Sequence, residues 1–519
     1  MSKQDQWGSQ PPQGYSNGAG PNPGYTPNYA PPPVAPYQQD VYNNDQKSPY
    51  EGDRFKHKRR LNDPIFLVIF VLQLLGFAGL SGLVLSEWIS EGGLGGGLGS
   101  GSRTGTSVTL NSHTVYLLLF VTAAALVLST VYLMLTRMFT RMIMHITLVL
   151  SILLNIGVCV YYWITKYYSG AIIFTLIALF SILSYFGYRS RIPLASLLLQ
   201  VIMDVSKHHK SVYVVAFTAL LLQAALSVWF TFTTIATYAK FSPGNPSCGN
   251  GSSCSSGTVA GLVFFEVFSY LWTSQVIGNI SLATLAGGPY GSWYYFGPRE
   301  QGQMPKHPTL SALGRASSLS LGSIAFGSLI VTLLELLQMF LRAVQNNAAQ
   351  DGNGVEMCLA CCANCLIGLL ESAVRYFNRY AYIEIALYGK PYIAAAKDTW
   401  RLFMDRGIDA LVNDSLVSMT LTWGAYVVGM CCSLFGYLYL RYTHPSYNAD
   451  GQYTPPILLF SFVIGLQCSL TLGSAIEAGV STIFVGLGED PQVLAIRAPE
   501  LFAMVAASYP QVTLGVPRV

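Results

Sequence analysis

The chain has 519 residues, 52% of them hydrophobic and only 10% charged, with a mean hydropathy of +0.42. A soluble globular chain carries about 25% Asp, Glu, Lys and Arg, so this composition excludes an ordinary cytosolic enzyme. Twenty-nine Lys and Arg against twenty-five Asp and Glu leave a net charge of +4, too small and too scattered an excess to suggest a nucleic-acid partner. The apolar residues fall in long blocks, so the chain is an integral membrane protein whose architecture is counted in spans.

Residues 1–53 differ from all that follows: Pro, Gly, Tyr, Asn and Gln dominate and aliphatic side chains are scarce. Such a segment buries too little apolar area to offset its conformational entropy, which predicts a disordered cytosolic tail. It lacks the charged start and immediate apolar run of a cleaved signal peptide, so insertion begins at the first true span. The tail reads either as a solvated leader or as a docking segment for a Pro-binding partner of unknown identity.

A helix needs about 20 mostly apolar residues to cross a hydrocarbon layer of ~30 Å. Ten blocks qualify: 64–85, 113–135, 142–164, 168–188, 212–238, 259–285, 319–343, 357–374, 411–440 and 456–487. The third and fourth are separated by little more than Thr165, Lys166 and Tyr167, which predicts an antiparallel hairpin. Barrel strands would alternate in short segments instead. The expected fold is therefore all-α, a polytopic helical bundle at 54–490 followed by a cytosolic segment at 491–519.

Orientation follows from the basic residues, which short cytoplasmic loops retain. With the N-terminus inside, the inner segments hold twenty-four of the twenty-nine Lys and Arg, including five in RFKHKRR (Arg54 to Arg60) and six between Arg375 and Arg406. Arg103, Lys166, Lys240, Arg342 and Arg441 remain outside. This asymmetry predicts ten spans with both termini cytosolic.

The loop before the sixth span reads SPGNPSCGNGSSCSSG. Cys248 and Cys254 then lie on the oxidising side, where their separation permits a disulfide or leaves two free thiols. Asn250-Gly251-Ser252 is a glycosylation sequon on the same side, so Asn250 is a candidate acceptor.

Cys358, Cys361, Cys362 and Cys365 in CLACCANC have the spacing of a metal site on a loop, but here they open the eighth span. Four cysteines on a turn and a half of helix cannot close a tetrahedron, which favours a small, weakly polar packing face. The glycine-rich EGGLGGGLGSG at 91–101 has no Lys-Ser/Thr after it and no strand before it, so it is a flexible loop. The seven histidines form no metal or triad pattern. Neither an enzymatic constellation, a metal set nor a cofactor motif is legible.

Polar residues inside apolar blocks are more informative, because a charge at the bilayer centre costs roughly 2.5–3.5 kcal/mol on insertion scales. Four carboxylates qualify: Glu266, Glu335, Glu371 and Glu477. Asn155, Gln223, Gln275, Asn279, Gln338 and Gln467 join them. On the sixth span Trp272, Gln275 and Asn279 share one face, and Glu266, Tyr270 and Thr273 roughly the opposite one, which places that span centrally. On the seventh, Glu335, Gln338 and Arg342 stack as an ion pair or as a polar strip beside a solute path. Singly, each carboxylate also fits a helix-to-helix hydrogen bond. Trp163, Trp229, Trp272 and Trp423 have the π faces that hold a quaternary ammonium, Trp272 being deepest in its block and Trp163 placed for an interfacial belt. Arg191–Val205 and Asn378–Gly407 mix apolar and basic faces and read as in-plane helices that gate or brace the inner mouth.

These stretches resemble the choline transporter-like family of ten-span membrane proteins. CLACCANC followed by LLESAVRYFNRYAYIEIALYGKPYIAAAKD is the most recognisable block, supported by SYLWTSQVIGNISLATLAGGPYGSWYYF, SLGSIAFGSLI and RIPLAS. The Pro/Gly/Tyr-rich tail and the short first outer loop, with no cysteine at 86–112, are similar to its fungal branch, the pH-nine-sensitive proteins. The resemblance implies placement in the plasma membrane and transport of choline or a related cationic amine, with ethanolamine and proton exchange also within the family's range. Matching motifs contain Trp272, Asn279, Gly287-Gly288-Pro289, Asn378, Tyr382 and Gly389. On that resemblance Trp272 and Tyr270 are expected as cation contacts, Asn279 as an orienting hydrogen-bond group with Gln275 on its face, and Glu266 or Glu335 as the charge partner. The expected function is alternating-access transport, with polar groups of spans six, seven, eight and ten around the site. The competing expectation is a non-transporting scaffold that recruits partners or anionic lipid through the tail and the basic loops.

Overall fold

A computed structural model of the chain describes residues 60–90, 112–241, 255–297, 305–351, 354–406, 409–445, 448, 451 and 454–508. Among the described residues every regular element is helical, and ten helices are long and apolar enough to cross a membrane. Cys248, Asn250, Cys254 and the tail lie outside the described residues.

The spans are α1 (Pro64–Ser90), α2 (Ser112–Met138), α3 (Thr140–Ile164), α4 (Tyr168–Arg189), α6 (Ser211–Phe241), α7 (Ser256–Leu285), α10 (Leu321–Gln350), α11 (Gly354–Tyr388), α13 (Asp409–Thr443) and α14 (Thr454–Glu489). Six shorter helices connect or follow them: α5 (Ile192–His208), α8 (Gly291–Phe296), α9 (Pro308–Ser317), α12 (Tyr392–Arg406), α15 (Pro491–Arg497) and α16 (Pro499–Ser508). Lys166, at a φ of 59°, makes the sharp turn between α3 and α4. Asn155 donates to Ser181 at 2.9 Å and Trp163 to Thr175 at 3.1 Å, closing the hairpin with polar contacts that lipid cannot replace.

The core forms around the C-terminal half of α14, where nearly every residue from Leu472 to Leu487 is buried. Small residues allow this. A Cβ at Gly479 would stand 2.7 Å from both Ile202 of α5 and the Tyr290 ring, and one at Gly486 would stand 2.8 Å from Tyr294. With nothing in the way, Tyr290 donates to the Ala475 carbonyl at 2.8 Å and Tyr294 to the Asp490 carbonyl at 3.0 Å. These tyrosines come from a break after α7. Residues Ala286–Tyr290 form one wide π turn with non-helical geometry at Gly288, as Gly287-Gly288-Pro289 leads one to expect. Arg315 of α9 donates to the Gly287 carbonyl at 3.1 Å and so satisfies an acceptor at the break.

Two sequence expectations change. The segment from Arg191 is no lipid-facing brace: Ile192, Leu194, Ala195, Leu198, Leu199 and Ile202 are all buried in the core, so α5 is roofed by protein. The eighth span does not stop at 374. It runs on to Tyr388, and only α12 remains of the second in-plane helix. From Asn378 onward this helix is buried nearly all round, with Tyr380, Ala381, Tyr382, Ile383, Glu384, Ile385 and Leu387 all enclosed by protein. The helix ends only at Gly389, whose φ of 65° suits a residue without a Cβ.

The start of α1 locks this end of the bundle. Asp63 accepts from the Ser323 hydroxyl at 2.6 Å and from the Tyr392 backbone N–H at 2.8 Å, while Asn62 donates to the Gly389 carbonyl at 2.9 Å. Gly322 makes the approach possible, since a Cβ there would collide with the Asn62 and Asp63 carbonyls. Three spans and α12 therefore meet at one point.

Candidate solute cavity

A cavity of about 310 Å³ at the far end of α13 and α14 is lined mostly by apolar residues, Met430, Leu434, Leu458, Leu459 and Phe462, with the hydroxyls of Ser433 and Tyr437 and no charged group. A larger one, about 580 Å³, lies between α6, α7, α11 and α14. Its walls carry Gln223, Gln275, Asn279, Ser281, Ser372, Arg375, Tyr376, Arg379, Gln467, Thr471 and Ser474 among aliphatic residues. Ser372, Arg375, Gln467 and Ser474 are exposed, so the cavity reaches the surface of the bundle.

One wall is a charge network. Glu335, midway along α10, is bridged to Glu371 of α11 by the Arg375 guanidinium, which lies 2.6 Å from the Glu371 carboxylate and closer to Glu335. Gln275 donates to the same Glu335 oxygen at 3.0 Å, and Gln338 donates to Glu371. Arg342 is exposed and, among the described residues, reaches the Gln338 side-chain oxygen at 3.4 Å. The second Glu335 oxygen is buried without a hydrogen-bond partner. Arg379, one turn further along α11, pairs with Glu477 of α14 at 2.9 Å. Asn279 donates to Ser328 of α10 at 2.9 Å.

The expected site residues therefore divide. Gln275, Asn279, Glu335, Gln338, Glu371 and Glu477 come together at or behind this cavity. Spans five, six, eight and ten wall it, and span seven backs it through Glu335. Trp272, Tyr270 and Glu266 lie elsewhere. Trp272 is fully buried, donates to the Ala325 carbonyl at 2.9 Å and meets Phe70 edge to face at 5.3 Å. Tyr270 stacks on Phe230 at 4.6 Å and shares a hydrogen bond with Ser227 at 3.0 Å. Glu266 accepts from Thr234 at 2.9 Å and Thr237 at 2.5 Å, both on α6. Among the motif residues, Asn378 donates to the Gly327 carbonyl at 3.0 Å and accepts from Tyr392 at 2.6 Å, so it fastens α12 to α10 and α11.

Arg375 and Arg379 are the cavity residues that sequence reasoning missed, because they were counted with the inner loop. The signal was present: Glu371, Arg375 and Arg379 repeat every four residues, the spacing of ion pairs along one continuous helix. The four cysteines of α11 also differ from expectation. All are exposed, and this part of the helix packs instead through Ala360, with Ala363 and Asn364 half-buried. Among the described residues no group of three His, Cys, Asp or Glu is placed to hold a metal ion.

Ten spans, four of which wall a polar, charged cavity, make this a multi-pass membrane protein. The family model described as "Plasma-membrane choline transporter" matches residues 172–492. Relatives named Protein PNS1 align over nearly the whole chain. That of Cryptococcus neoformans var. neoformans serotype D is 56% identical over 510 residues, 95% of this chain and 92% of the relative. That of Mycosarcoma maydis is 42% identical over 488 residues, 92% and 90% of the two chains, and that of Candida albicans 37% over 481, 92% of each. The chain belongs to the choline transporter family.

Proposed function

We propose that the protein carries choline or a related cationic amine across the plasma membrane by alternating access, with the α6–α7–α11–α14 cavity as its solute site. The observation that carries this reading is a charge imbalance. Glu335 and Glu371 share one guanidinium, and one Glu335 oxygen has no partner. A surplus negative charge inside a membrane bundle is costly unless a cation compensates it. An amine monocation meets that need, and the amides of Gln223, Gln275, Asn279 and Gln467 are suited to the hydroxyl of an alkanolamine. The volume lies within the few hundred to about 1,000 Å³ usual for small-molecule sites.

Arg375 then acts as a tethered stand-in for the solute. Its side chain is 48% exposed, against 19% for Glu335, so it covers the carboxylate from the cavity side. An arriving ammonium takes over the Glu335 contact and frees Arg375 to swing toward Glu371, which alters the contact between α10 and α11. Uptake of radiolabelled choline into proteoliposomes tests the function. Uptake saturable by excess choline or ethanolamine is expected; none from a folded, reconstituted protein overturns it.

A further inference from the structure

The outer face of α12 combines exposed apolar and basic side chains. Ile393, Lys397, Trp400, Arg401 and Met404 are exposed and recur at the spacing of one helical stripe, while Tyr392, Ala395 and Thr399 on the opposite face are buried. Ile393 is 56% exposed, Trp400 60% and Met404 68%, which is a large apolar area to leave in water. Tyr392, Ile393, Ala396, Lys397, Trp400 and Arg401 line a shallow groove of about 360 Å³.

Both ends of α12 are fixed to span ends. At its start the Tyr392 N–H binds Asp63, the residue before α1, and only three residues separate it from the end of α11. Near its other end Leu402 packs on Gly488, at the end of α14. The helix therefore runs along the membrane boundary, with its apolar side chains at the depth of the headgroup and upper acyl layer. Two cations, Lys397 and Arg401, line the groove itself. Asp398 is engaged at 2.8 Å by Lys390 and stands 3.7 Å from Arg401, and Lys397 has no ion-pair partner among the described residues.

From this we infer that the α12 groove is a binding site for an anionic glycerophospholipid of the adjoining leaflet. Lys397 and Arg401 hold the headgroup phosphate and its extra acidic group, Trp400 lies at the glycerol level, and Ile393 and Met404 contact the acyl chains. A zwitterionic lipid fits the apolar part equally well but leaves one of the two cations unanswered, so the site selects by charge. The site is independent of the solute cavity and stands whatever the protein carries.

The full chain is reconstituted in phosphatidylcholine vesicles containing a minor fraction of brominated phosphatidylserine or brominated phosphatidylcholine. The fluorescence of Trp400 is isolated by subtracting the Trp400→Phe variant. Bromine on phosphatidylserine is expected to quench Trp400 several-fold more than bromine on phosphatidylcholine, and the Lys397→Gln/Arg401→Gln variant is expected to erase the difference. Both changes are at exposed positions, and melting temperature checks the fold. Equal quenching by the two lipids in the unmodified protein overturns the inference, as does a preference that survives the double substitution. Absence of quenching by either lipid overturns it too.

Discussion

Arg375 on α11 reaches across to Glu335 on α10 while also holding Glu371 one turn back on its own helix. One guanidinium thus answers two carboxylates beside a cavity, and on the proposed function that side chain competes with the solute.

Replacing Arg375 by Gln therefore tightens choline binding. An increase of about tenfold, or ~1.4 kcal/mol, is expected if the guanidinium must be displaced before the amine binds. Equilibrium binding of radiolabelled choline to purified protein measures it. If Arg375→Gln abolishes binding and Arg375→Lys preserves it, the arginine supports the site rather than occupying it.

Trp272 has a packing task. Its ring lies between Phe70 and Phe268, and its N–H is bound to the Ala325 carbonyl. Trp272→Ala is expected to cost roughly 3–5 kcal/mol of stability and to lower the melting temperature in detergent. Choline affinity of the folded fraction should stay within about twofold, since ~0.4 kcal/mol is the corresponding energy. Selective loss of affinity with unchanged melting would restore the ring as a cation contact.

Asp63 collects the Ser323 hydroxyl and the Tyr392 N–H at the meeting point of α1, α10 and α12. Asp63→Ala leaves both donors without an acceptor, at about 1–3 kcal/mol. The melting temperature falls and amide exchange at the start of α12 accelerates. Unchanged exchange there would show that Asp63 does not anchor the helix.

Lys390, between α11 and α12, ties Glu384 at 3.0 Å and Asp398 at 2.8 Å. Burial works to lower its pKa, but the charge of Glu384 and the hydrogen bonds to Asp398 and Glu384 outweigh burial and hold the ammonium above its ordinary 10.5. A raised pKa in the folded state means that the stabilisation is complete below pH 10.5 and declines as the pH rises through the raised value. Tyr392, whose phenol is pushed up to about 12 by burial, loses stabilisation in the same direction. The melting difference between the unmodified protein and Lys390→Met isolates the lysine. It should shrink as the pH rises above 10.5. A difference that grows above 10.5 contradicts the assignment.

The spans were legible because apolar length and flanking polarity are local properties, and ten blocks read from the sequence coincide with ten helices. What failed was the extent of α11, where apolar content drops at Arg375 although the helix continues. A protein wall, rather than lipid, receives those arginines, and sequence hydropathy does not distinguish the two. For the site, the amides and carboxylates were readable as polar groups in apolar surroundings. Their pairing was not, because Gln275 meets Glu335 and Arg379 meets Glu477 only through tertiary packing. Glu266 and Tyr270 looked equally exposed to a solute path until α6 supplied Thr234, Thr237, Ser227 and Phe230 as neighbours. The same logic explains α5, whose apolar face suits a membrane surface and a protein core alike.

The most direct test is equilibrium choline binding to the purified protein and to its Glu335→Gln variant, with melting temperature confirming that both are folded. Saturable binding that weakens at least tenfold in the variant, about 1.4 kcal/mol or more, is the predicted result. Binding of equal strength in both would contradict the account, because Glu335, with its one unpartnered oxygen, would then have no part in holding the solute.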